Sequence, residues 1–277
     1  MALFAVLHET DELLVLHKPA GLVCHPTKAG PLSSLVSRVR IYLGAQAEPQ
    51  MVHRLDRETS GVMIFGKTQD AAAELRRLWA LGVVTKEYVA LVHGHVAVPA
   101  GQIDAPLGRD EASAVAIKDC VRPDGAAART RFVVEQRFEH RGQLFTRLRL
   151  WLDTGRKHQI RIHLAHRGHP LVGDKIYGHN EQLYLAFVTG RLTDADRRQL
   201  QLPWQALHAE KLWLPWGGEE RGFHSPAEPW FDQFVRGETI PWSSDLADSH
   251  QLTEHDSASI PLSPPGQTVP VEGAPHS

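Results

Sequence analysis

Residues 52–66 read Val-His-Arg-Leu-Asp-Arg-Glu-Thr-Ser-Gly-Val-Met-Ile-Phe-Gly, a charged turn that runs into an apolar segment. Asp56 lies between Arg54 and Arg57 in this turn, and the apolar segment 61–66 predicts a short central strand. The pattern would hold a carboxylate at the mouth of a sheet among cations, which favour its ionised form. An ionised carboxylate is what a nucleophile or a general base requires.

The sequence on either side of this stretch predicts more strands than helices. Apolar runs and alternating patterns predict strands at 13–17, 61–66, 86–93, 129–138, 143–152 and 206–214. Helical spacing predicts helices at 33–43, 71–81 and 158–167, with Asp70 as the N-cap of the second helix. A tight turn through Arg141 and Gly142 would join two of the strands as a hairpin. The pattern indicates an α+β fold with a mixed, mainly antiparallel central sheet and flanking helices.

The composition is typical of a globular protein with one main domain. The chain has 277 residues, of which 42% are apolar, enough for a sizeable core. Its apolar runs are shorter than the roughly 18 residues that cross a bilayer, and the N-terminus lacks a basic leader. We therefore expect a cytoplasmic protein with no membrane partner. The two cysteines, Cys24 and Cys120, indicate neither a disulfide framework nor a zinc site.

The C-terminal segment differs from the rest of the chain in composition. Residues 243–277 are rich in Ser, Pro and acidic residues and contain no aromatic residue, so we expect a disordered tail after a domain spanning 1–242. Every Lys and Arg of the chain lies within residues 1–236, whereas six of its 32 acidic residues follow Arg236. This basic excess, in a chain of net charge −2, permits RNA binding without requiring it.

Four segments of the chain resemble, in the same order, the signature segments of RluA-type RNA pseudouridine synthases. They are 18–23 (KPAGLV, against KPxGxxV), 53–61 (HRLDRETSG, against HRLDxxTSG), 86–94 (KEYVALVHG, against KxYxAxVxG) and 154–163 (TGRKHQIRIH, against TGRxHQIRxH), the last continuing into 168–174. The resemblance covers about residues 10–215. It implies a catalytic domain at 1–242 with its active site in a cleft across the sheet. It also implies isomerisation of specific uridines in ribosomal RNA, transfer RNA or both, with base flipping and no cofactor.

The resemblance further implies roles for individual residues. Asp56 matches the essential aspartate, Tyr88 the aromatic residue that stacks on the target base, and Arg161 the basic residue that pairs with the aspartate. Arg54 matches the residue that takes the place of the flipped base in the RNA stack. Further RNA contacts are expected from His53, Arg57, Lys86, Arg156, Lys157 and His158.

These residue types suit the reaction that the resemblance implies. Pseudouridylation breaks the N1–C1′ bond of uridine and joins C5 to C1′, and only protons are exchanged, so neither a redox cofactor nor a metal is expected. The carboxylate could attack C1′, remove a proton from C2′ or add to C6, and the sequence leaves these routes open. Unstacking the uridine costs a few kcal/mol. An arginine in the gap and a stacked tyrosine would offset part of that cost.

Each assigned role also has a purely structural alternative. The charges around Asp56 could form a solvated surface cluster worth about 0–1 kcal/mol. Tyr88 alternates with apolar neighbours and could be a core residue. Arg161 could extend to solvent or bind RNA phosphates together with Arg156 and Lys157.

Three other functions compete with the synthase hypothesis. A non-catalytic RNA-binding module would explain the basic loops but not the acid between arginines. A glycoside hydrolase would need two carboxylates, and only Glu58 lies near Asp56 in the sequence. A metal-dependent hydrolase could use His163, His166 and His169, but a predicted helix end separates the last two, and no metal site is expected.

The RNA that would be modified is not specified by the sequence. The first signature segment begins at Lys18, so we expect no N-terminal S4 RNA-binding domain. Recognition would then come from the catalytic domain itself, with help from the segment 95–128. This favours a stem-loop as the target, and we expect a monomer with no obligate protein partner.

Overall fold

The computed structural model describes residues 4–26, 32–44 and 46–242, so the tail predicted at 243–277 lies outside the described residues. The strands are β1 (Ala5–Glu9), β2 (Leu13–Lys18), β3 (Gln50–Met51), β4 (Ser60–Gly66), β5 (Thr85–His93), β6 (Ala100–Asp104), β7 (Leu107–Arg109), β8 (Asp119–Val121), β9 (Arg129–His140), β10 (Gln143–Leu152), β11 (Leu207–Trp216) and β12 (Glu219–His224). The helices are α1 (Leu35–Leu43), α2 (Gln69–Ala80), α3 (Gln159–His166), α4 (Gln182–Val188), α5 (Asp194–Leu200) and α6 (Pro229–Val235).

One large sheet organises the described part of the chain. Its ten strands follow the order β1-β2-β4-β11-β5-β10-β9-β6, with β12 paired to β11 and β3 paired to β4. Strands β4 and β11 run parallel, and the other neighbours in this sheet are antiparallel. Strands β7 and β8 form a separate antiparallel ribbon. The α+β fold with a mixed, mainly antiparallel sheet is therefore confirmed.

Protein covers both faces of the central strands, and most of their residues are therefore apolar and buried. Every residue of β2 and β4 is buried. In β5, Tyr88 and Ala90 join the main hydrophobic core, whereas the alternating Val89 and Leu91 join a second core with Phe231 of α6. The sheet is thus the middle layer of the molecule, and its middle strands are rigidly enclosed.

The predicted elements are present, with one wrong cap and several omissions. The structure confirms the strands expected at 13–17, 61–66, 86–93, 129–138, 143–152 and 206–214 and the helices expected at 33–43, 71–81 and 158–167, with ends shifted by one or two residues. The N-cap of α2 is Thr68, whose side chain accepts the backbone N–H of Ala71. Asp70 instead lies inside the first helical turn. The elements that the sequence pattern missed are β1, β3, β6, β7, β8, β12, α4, α5 and α6.

The hairpin between β9 and β10 has the turn that its sequence predicts. Arg141 and Gly142 both have positive φ, 51° and 74°, which is the geometry of a two-residue turn matched to strand twist. The helices in the described ranges are all too short or too polar to cross a membrane.

Gly61 allows the closest approach between the two parallel strands. Its φ is 123°, and a Cβ at this position would lie 2.2 Å from the carbonyl oxygen of Ala209 in β11. The neighbouring Ser60 donates through its hydroxyl to His208 Nδ1 at 2.8 Å, because His208 Nε2 already donates to the carbonyl of Ser225. Only glycine fits here, so β4 and β11 can pair directly after the turn that carries Asp56.

We predict that Gly61→Ala lowers the free energy of unfolding by about 3 kcal/mol, because it combines an unfavourable φ with a backbone clash. Gly142→Ala is the matched control, since Gly142 has a positive φ of 74° but no atom within 4 Å of the added Cβ. The control should cost about 1 kcal/mol. Urea denaturation of both variants measures the difference, and equal losses would show that the β4–β11 contact is not the constraint.

Candidate active site

The turn that carries Asp56 connects β3 to β4 and is fixed by contacts with two distant segments. The backbone N–H of Thr59 donates to the carbonyl of Asp56 at 3.2 Å, which closes the turn. The side-chain amide of Gln205 donates to Thr59 Oγ1 at 2.7 Å, and Lys18 Nζ donates to the carbonyl of Arg57 at 3.0 Å. The backbone on both sides of Asp56 is therefore held in place.

Lys18 is a fully buried cation beneath this turn. Its Nζ also donates to the carbonyls of Pro19 and Leu22, at 2.9 and 2.8 Å. Burial lowers the pKa of Lys18 to about 8, although nearby carboxylates act in the opposite direction. Three carbonyl acceptors make the buried ammonium tolerable, and they tie the turn at 18–21 to the turn at Asp56.

Asp56 is paired with Arg161, which lies in α3, 105 residues further along the chain. Arg161 Nη1 donates to Asp56 Oδ2 at 2.9 Å. The same guanidinium donates through Nε and Nη2 to the two oxygens of Asp174, at 2.7 and 2.9 Å. Asp174 Oδ1 also accepts the backbone N–H groups of Ile176 and Tyr177. A bidentate ion pair thus fixes the arginine that holds the carboxylate of Asp56.

The surroundings keep Asp56 ionised. Burial by itself would raise the pKa of Asp56, but the charge of Arg161 and its hydrogen bond outweigh burial and hold that pKa below the ordinary value. His158 lies on the other side of Asp56, with Nε2 at 3.7 Å from Oδ1. Burial and Arg161 lower the pKa of His158 to about 4, so His158 is neutral at neutral pH and Arg161 is the cation that matters.

The orientation of His158 follows from its hydrogen bonds. The Tyr177 hydroxyl oxygen accepts the backbone N–H of Asp119 at 3.1 Å, so its proton is free to go to His158 Nδ1 at 2.9 Å. Burial raises the pKa of Tyr177, which keeps that proton in place. The remaining ring proton is then on His158 Nε2, and it faces Asp56.

Asp56 opens onto a small cavity of about 80 Å³. Tyr88 and Leu207 line it from neighbouring strands, and Arg54 and Arg156 line it from exposed loops. The cavity therefore combines an ionised carboxylate, an aromatic ring and cations at an opening in the sheet. This arrangement could bind a ligand with a planar ring attached to a negatively charged chain.

Tyr88 is both a core residue and a residue of the cavity, the two positions between which its sequence context did not decide. It is 6% exposed and belongs to the main hydrophobic core, but it also lines the cavity of Asp56. Burial, and after it the charge of Asp56, raise the pKa of Tyr88, so the phenol stays protonated. The cavity therefore presents a neutral aromatic ring beside the carboxylate.

Most residues expected to bind RNA lie at or near the mouth of this cavity. Arg54, Arg57, Arg156 and Lys157 are exposed, and His158 is half-buried. Arg156 Nε donates to the carbonyl of Ala127, and Lys157 pairs with Asp119 at 2.8 Å. The structure groups these residues, and their contact with RNA remains a prediction.

The structure places His53 and Lys86 differently from the other predicted contacts. His53 Nε2 accepts the backbone N–H of Ile64 at 3.1 Å, and its ring stacks on Trp79. Burial and the neighbouring Lys86 lower the pKa of His53 to about 3, so it is a neutral support for β4. Lys86 is half-buried on β5, two residues from Tyr88, and burial lowers its pKa.

The residues that the competing functions would need are engaged elsewhere. Both oxygens of Glu58 accept from Lys175 Nζ, at 2.8 and 2.9 Å, which disfavours Glu58 as the second carboxylate of a glycoside hydrolase. His163 is bonded to Thr130 and to the carbonyl of Ala105. Within the described ranges, no group of three His, Cys, Asp or Glu side chains could hold a metal ion.

Sequence reasoning did not assign roles to four residues that build this site. They are Asp174, Lys175, Tyr177 and Gln205, which hold Arg161, Glu58, His158 and Thr59. Asp174 stands at the end of the segment 168–174, so the resemblance contained a signal for it. The others contact residues far away in the chain, and their local sequence gives no indication of that.

Comparison with known proteins gives a consistent result. The sequence model described as RNA pseudouridylate synthase matches residues 12–166. The chain is 34% identical over 235 residues to the ribosomal large subunit pseudouridine synthase D of Haemophilus ducreyi, covering 83% of this chain and 69% of that protein. It is 37% identical over 230 residues to the protein of the same name from Vibrio cholerae, covering 80% and 66%. The chain thus spans about two thirds of the length of these relatives.

Two solved structures of similar shape are human proteins. Human RNA Pseudouridylate Synthase Domain Containing 1 superposes with a TM-score of 0.67 at 25% identity, covering 88% of this chain and 93% of that one. Human RNA Pseudouridylate Synthase Domain Containing 4 gives a TM-score of 0.65 at 25% identity, covering 84% and 92%. The sheet described above is therefore the same fold as in these proteins.

We predict that Asp174→Asn lowers the free energy of unfolding by about 3 kcal/mol at pH 7, because it leaves the buried Arg161 with one of its three hydrogen bonds to carboxylates, the bond to Asp56. Burial raises the pKa of Asp174, but Arg161 and two backbone N–H groups outweigh burial and hold it below 3.8. A carboxyl group with a lowered pKa stabilises the fold above its unfolded pKa and loses that effect as pH falls.

The difference between wild type and Asp174→Asn should therefore be full at pH 7 and shrink below about pH 4. Urea denaturation between pH 3 and pH 7 measures it. Asp232→Asn is the control, because Asp232 lies on α6, is exposed and pairs with Arg147 of β10. This substitution should change the free energy of unfolding by less than about 1 kcal/mol. Equal stability of wild type and Asp174→Asn at pH 7 would contradict the role given to this ion pair.

Proposed function

Because the chain belongs to the RluA-type family of RNA pseudouridylate synthases, we propose that it isomerises uridine to pseudouridine in ribosomal RNA with Asp56 as its catalytic carboxylate. The observation that carries this proposal is the pairing of Asp56 with Arg161 at 2.9 Å beside a cavity lined by Tyr88. An ionised carboxylate, a fixed cation and an aromatic ring are the groups that the reaction uses. They come from three separate elements of the fold.

The reaction is a rearrangement within one nucleotide. The bond between N1 and C1′ breaks, the base turns, C5 bonds to C1′, the C5 proton leaves to solvent, and N1 takes up a proton from solvent, so that the product is an isomer of uridine. Asp56 Oδ2 is engaged by Arg161, whereas Oδ1 has only the longer contact to His158 at 3.7 Å. We propose that Oδ1 is the oxygen that acts on the substrate, either on C1′ or on the C2′ proton. A pKa below the ordinary range keeps this oxygen deprotonated throughout the neutral range.

The substrate must reach this oxygen as an unstacked nucleotide. The cavity lies at the bottom of a cleft, and a base still in its stack cannot enter it, so we propose base flipping. Tyr88 would stack on the flipped uracil, and Arg54, exposed at the rim, would fill the gap left behind. Arg156 and Lys157 would bind the phosphates next to the target.

Ribosomal RNA is proposed as the substrate on the names of the relatives, which are called ribosomal large subunit pseudouridine synthases. We predict that a strain lacking this gene loses pseudouridine at specific positions of large-subunit ribosomal RNA. Mapping of pseudouridine in ribosomal and transfer RNA, with and without the gene restored, measures this. Loss confined to transfer RNA would replace the proposed substrate and leave the enzymatic activity in place.

We predict that Asp56→Asn lowers the rate of pseudouridine formation by at least about 10³-fold, because an amide can neither attack C1′ nor accept a proton. Tritium release from RNA containing C5-tritiated uridine measures the rate. The fold should persist, because Arg161 keeps its two bonds to Asp174.

Asp232→Asn makes the same chemical change on α6, where the carboxylate is exposed, and should keep full activity. RNA affinity of the Asp56→Asn variant should also stay within a few-fold of wild type. Wild-type rates of tritium release in Asp56→Asn would remove this residue from the mechanism.

A further inference from the structure

A second cavity adjoins the first on the other side of Asp56. It has a volume of about 210 Å³ and shares the walls formed by Arg54, Asp56, His158 and Arg161 with the first cavity. Asp56 therefore lines two adjoining cavities, of which the second is the larger. The reaction of a single uridine uses only the opening that contains Tyr88.

The outer wall of the second cavity is apolar and open to solvent. Ile117 precedes β8 and is 44% exposed, and Val188 ends α4 and is 55% exposed. Tyr184 and Phe187, also from α4, line the same wall. Exposed apolar side chains grouped beside a catalytic group mark a surface that a ligand covers during function.

Cations surround the aromatic part of this wall. Lys175 Nζ lies 4.8 Å from the centre of the Phe187 ring, and the guanidinium carbon of Arg57 lies 5.8 Å from it. Lys175 is neutralised by Glu58, but Arg57 is exposed and donates only to the carbonyl of Gly21 among the described residues. Apolar and aromatic surface flanked by a free guanidinium is the combination that binds an unstacked base and its phosphate.

The position of the cavity restricts what that ligand can be. The two cavities share four lining residues, so a base in the second cavity would lie next to the residues that surround the target uracil. The group best able to reach it is therefore the base of a nucleotide covalently next to the target. An adjacent base that leaves its stack together with the target must be covered by protein, because exposing its face to water gives no compensation for lost stacking.

We propose that the second cavity binds the base of a nucleotide adjacent to the target uridine, packed against Ile117, Phe187 and Val188. This rests on the proposed function, since it requires a flipped uridine in the first cavity. The cavity thereby makes the local RNA structure, and not only the uridine, a determinant of which sites are modified. Stacking on an apolar wall tolerates any base, so the enzyme would require a base at this position more than a particular sequence.

The test combines a protein change with an RNA change. RNA stem-loops carry one C5-tritiated target uridine and either a normal nucleotide or an abasic nucleotide at the 5′ or 3′ neighbour. For the wild-type enzyme, we expect the abasic substitution at one of the two neighbours to lower kcat/KM for tritium release by about tenfold, the size of one lost base stack. Ile117→Ser combined with Val188→Ser should cause a similar loss on normal RNA.

The decisive measurement is the coupling between the two changes. If the base packs on this wall, the doubly substituted enzyme should lose little further activity on the abasic RNA, because the interaction is already absent. The matched control combines Val98→Ser with Val133→Ser, which are exposed to 49% and 39% and lie outside both cavities. The control should lose the same tenfold as wild type on the abasic RNA. Phe187→Ala, with its folding checked by thermal denaturation, provides a second probe of the same wall.

The outcomes separate this inference from the function on which it rests. Two results would overturn the second base site while leaving the synthase intact. The first is that neither abasic neighbour lowers kcat/KM of the wild-type enzyme. The second is that, at both neighbours, the loss in kcat/KM from the protein change multiplies with the loss from the RNA change. Absence of tritium release from every RNA with wild-type enzyme would instead overturn the proposed function.

Discussion

The buried contact between Arg161 and two carboxylates is the interaction on which the site depends. Arg161 is 5% exposed and Asp174 is 1% exposed, so both charges have left water at a cost of several kcal/mol per ion. That cost is offset because each of the three guanidinium nitrogens donates to a carboxylate: two bind Asp174 and the third binds Asp56. Two backbone N–H groups also donate to Asp174. The result is a carboxylate that is ionised and fixed in direction before any substrate arrives.

The sheet and the helix that follows β10 bring Asp56 and Arg161 together. Asp56 stands before β4, Arg161 is on α3 after β10, and Gln205 precedes β11, the strand that runs parallel to β4. Gly61 permits the close pairing of β4 and β11. Lys18 donates to the carbonyl of Arg57 in the turn of Asp56, and its other two hydrogen bonds go to Pro19 and Leu22. The contacts of Lys18 and Gln205 restrain the backbone of this turn and not the Asp56 carboxylate, whose Oδ2 binds Arg161 and whose Oδ1 has the longer contact to His158.

Neutral histidines and tyrosines complete the site in a way that their charged forms would not. Burial lowers the pKa of His158 to about 4, and burial raises the pKa of Tyr177 and Tyr88. Since these rings stay uncharged at neutral pH, the charge and hydrogen bond of Arg161 are the main influences that hold the pKa of Asp56 below its ordinary value against burial. The two cavities that meet at Asp56 therefore differ in lining but share one electrostatic centre.

The sequence by itself determined the α+β class, the segment that contains Asp56 and the strands β2, β4, β5, β9, β10 and β11, because apolar periodicity and turn residues act over a few neighbouring positions. The signature segments also indicated Arg161 and Tyr88 through their resemblance to a known family. Only the tertiary structure decided that Thr68 caps α2, that His53 supports β4 and that α4 forms a wall beside Asp56. The contact between Asp56 and Arg161 spans 105 residues of chain. The resemblance predicted this pair, but no local pattern encodes it, because the two residues meet only when the chain folds the turn before β4 against α3.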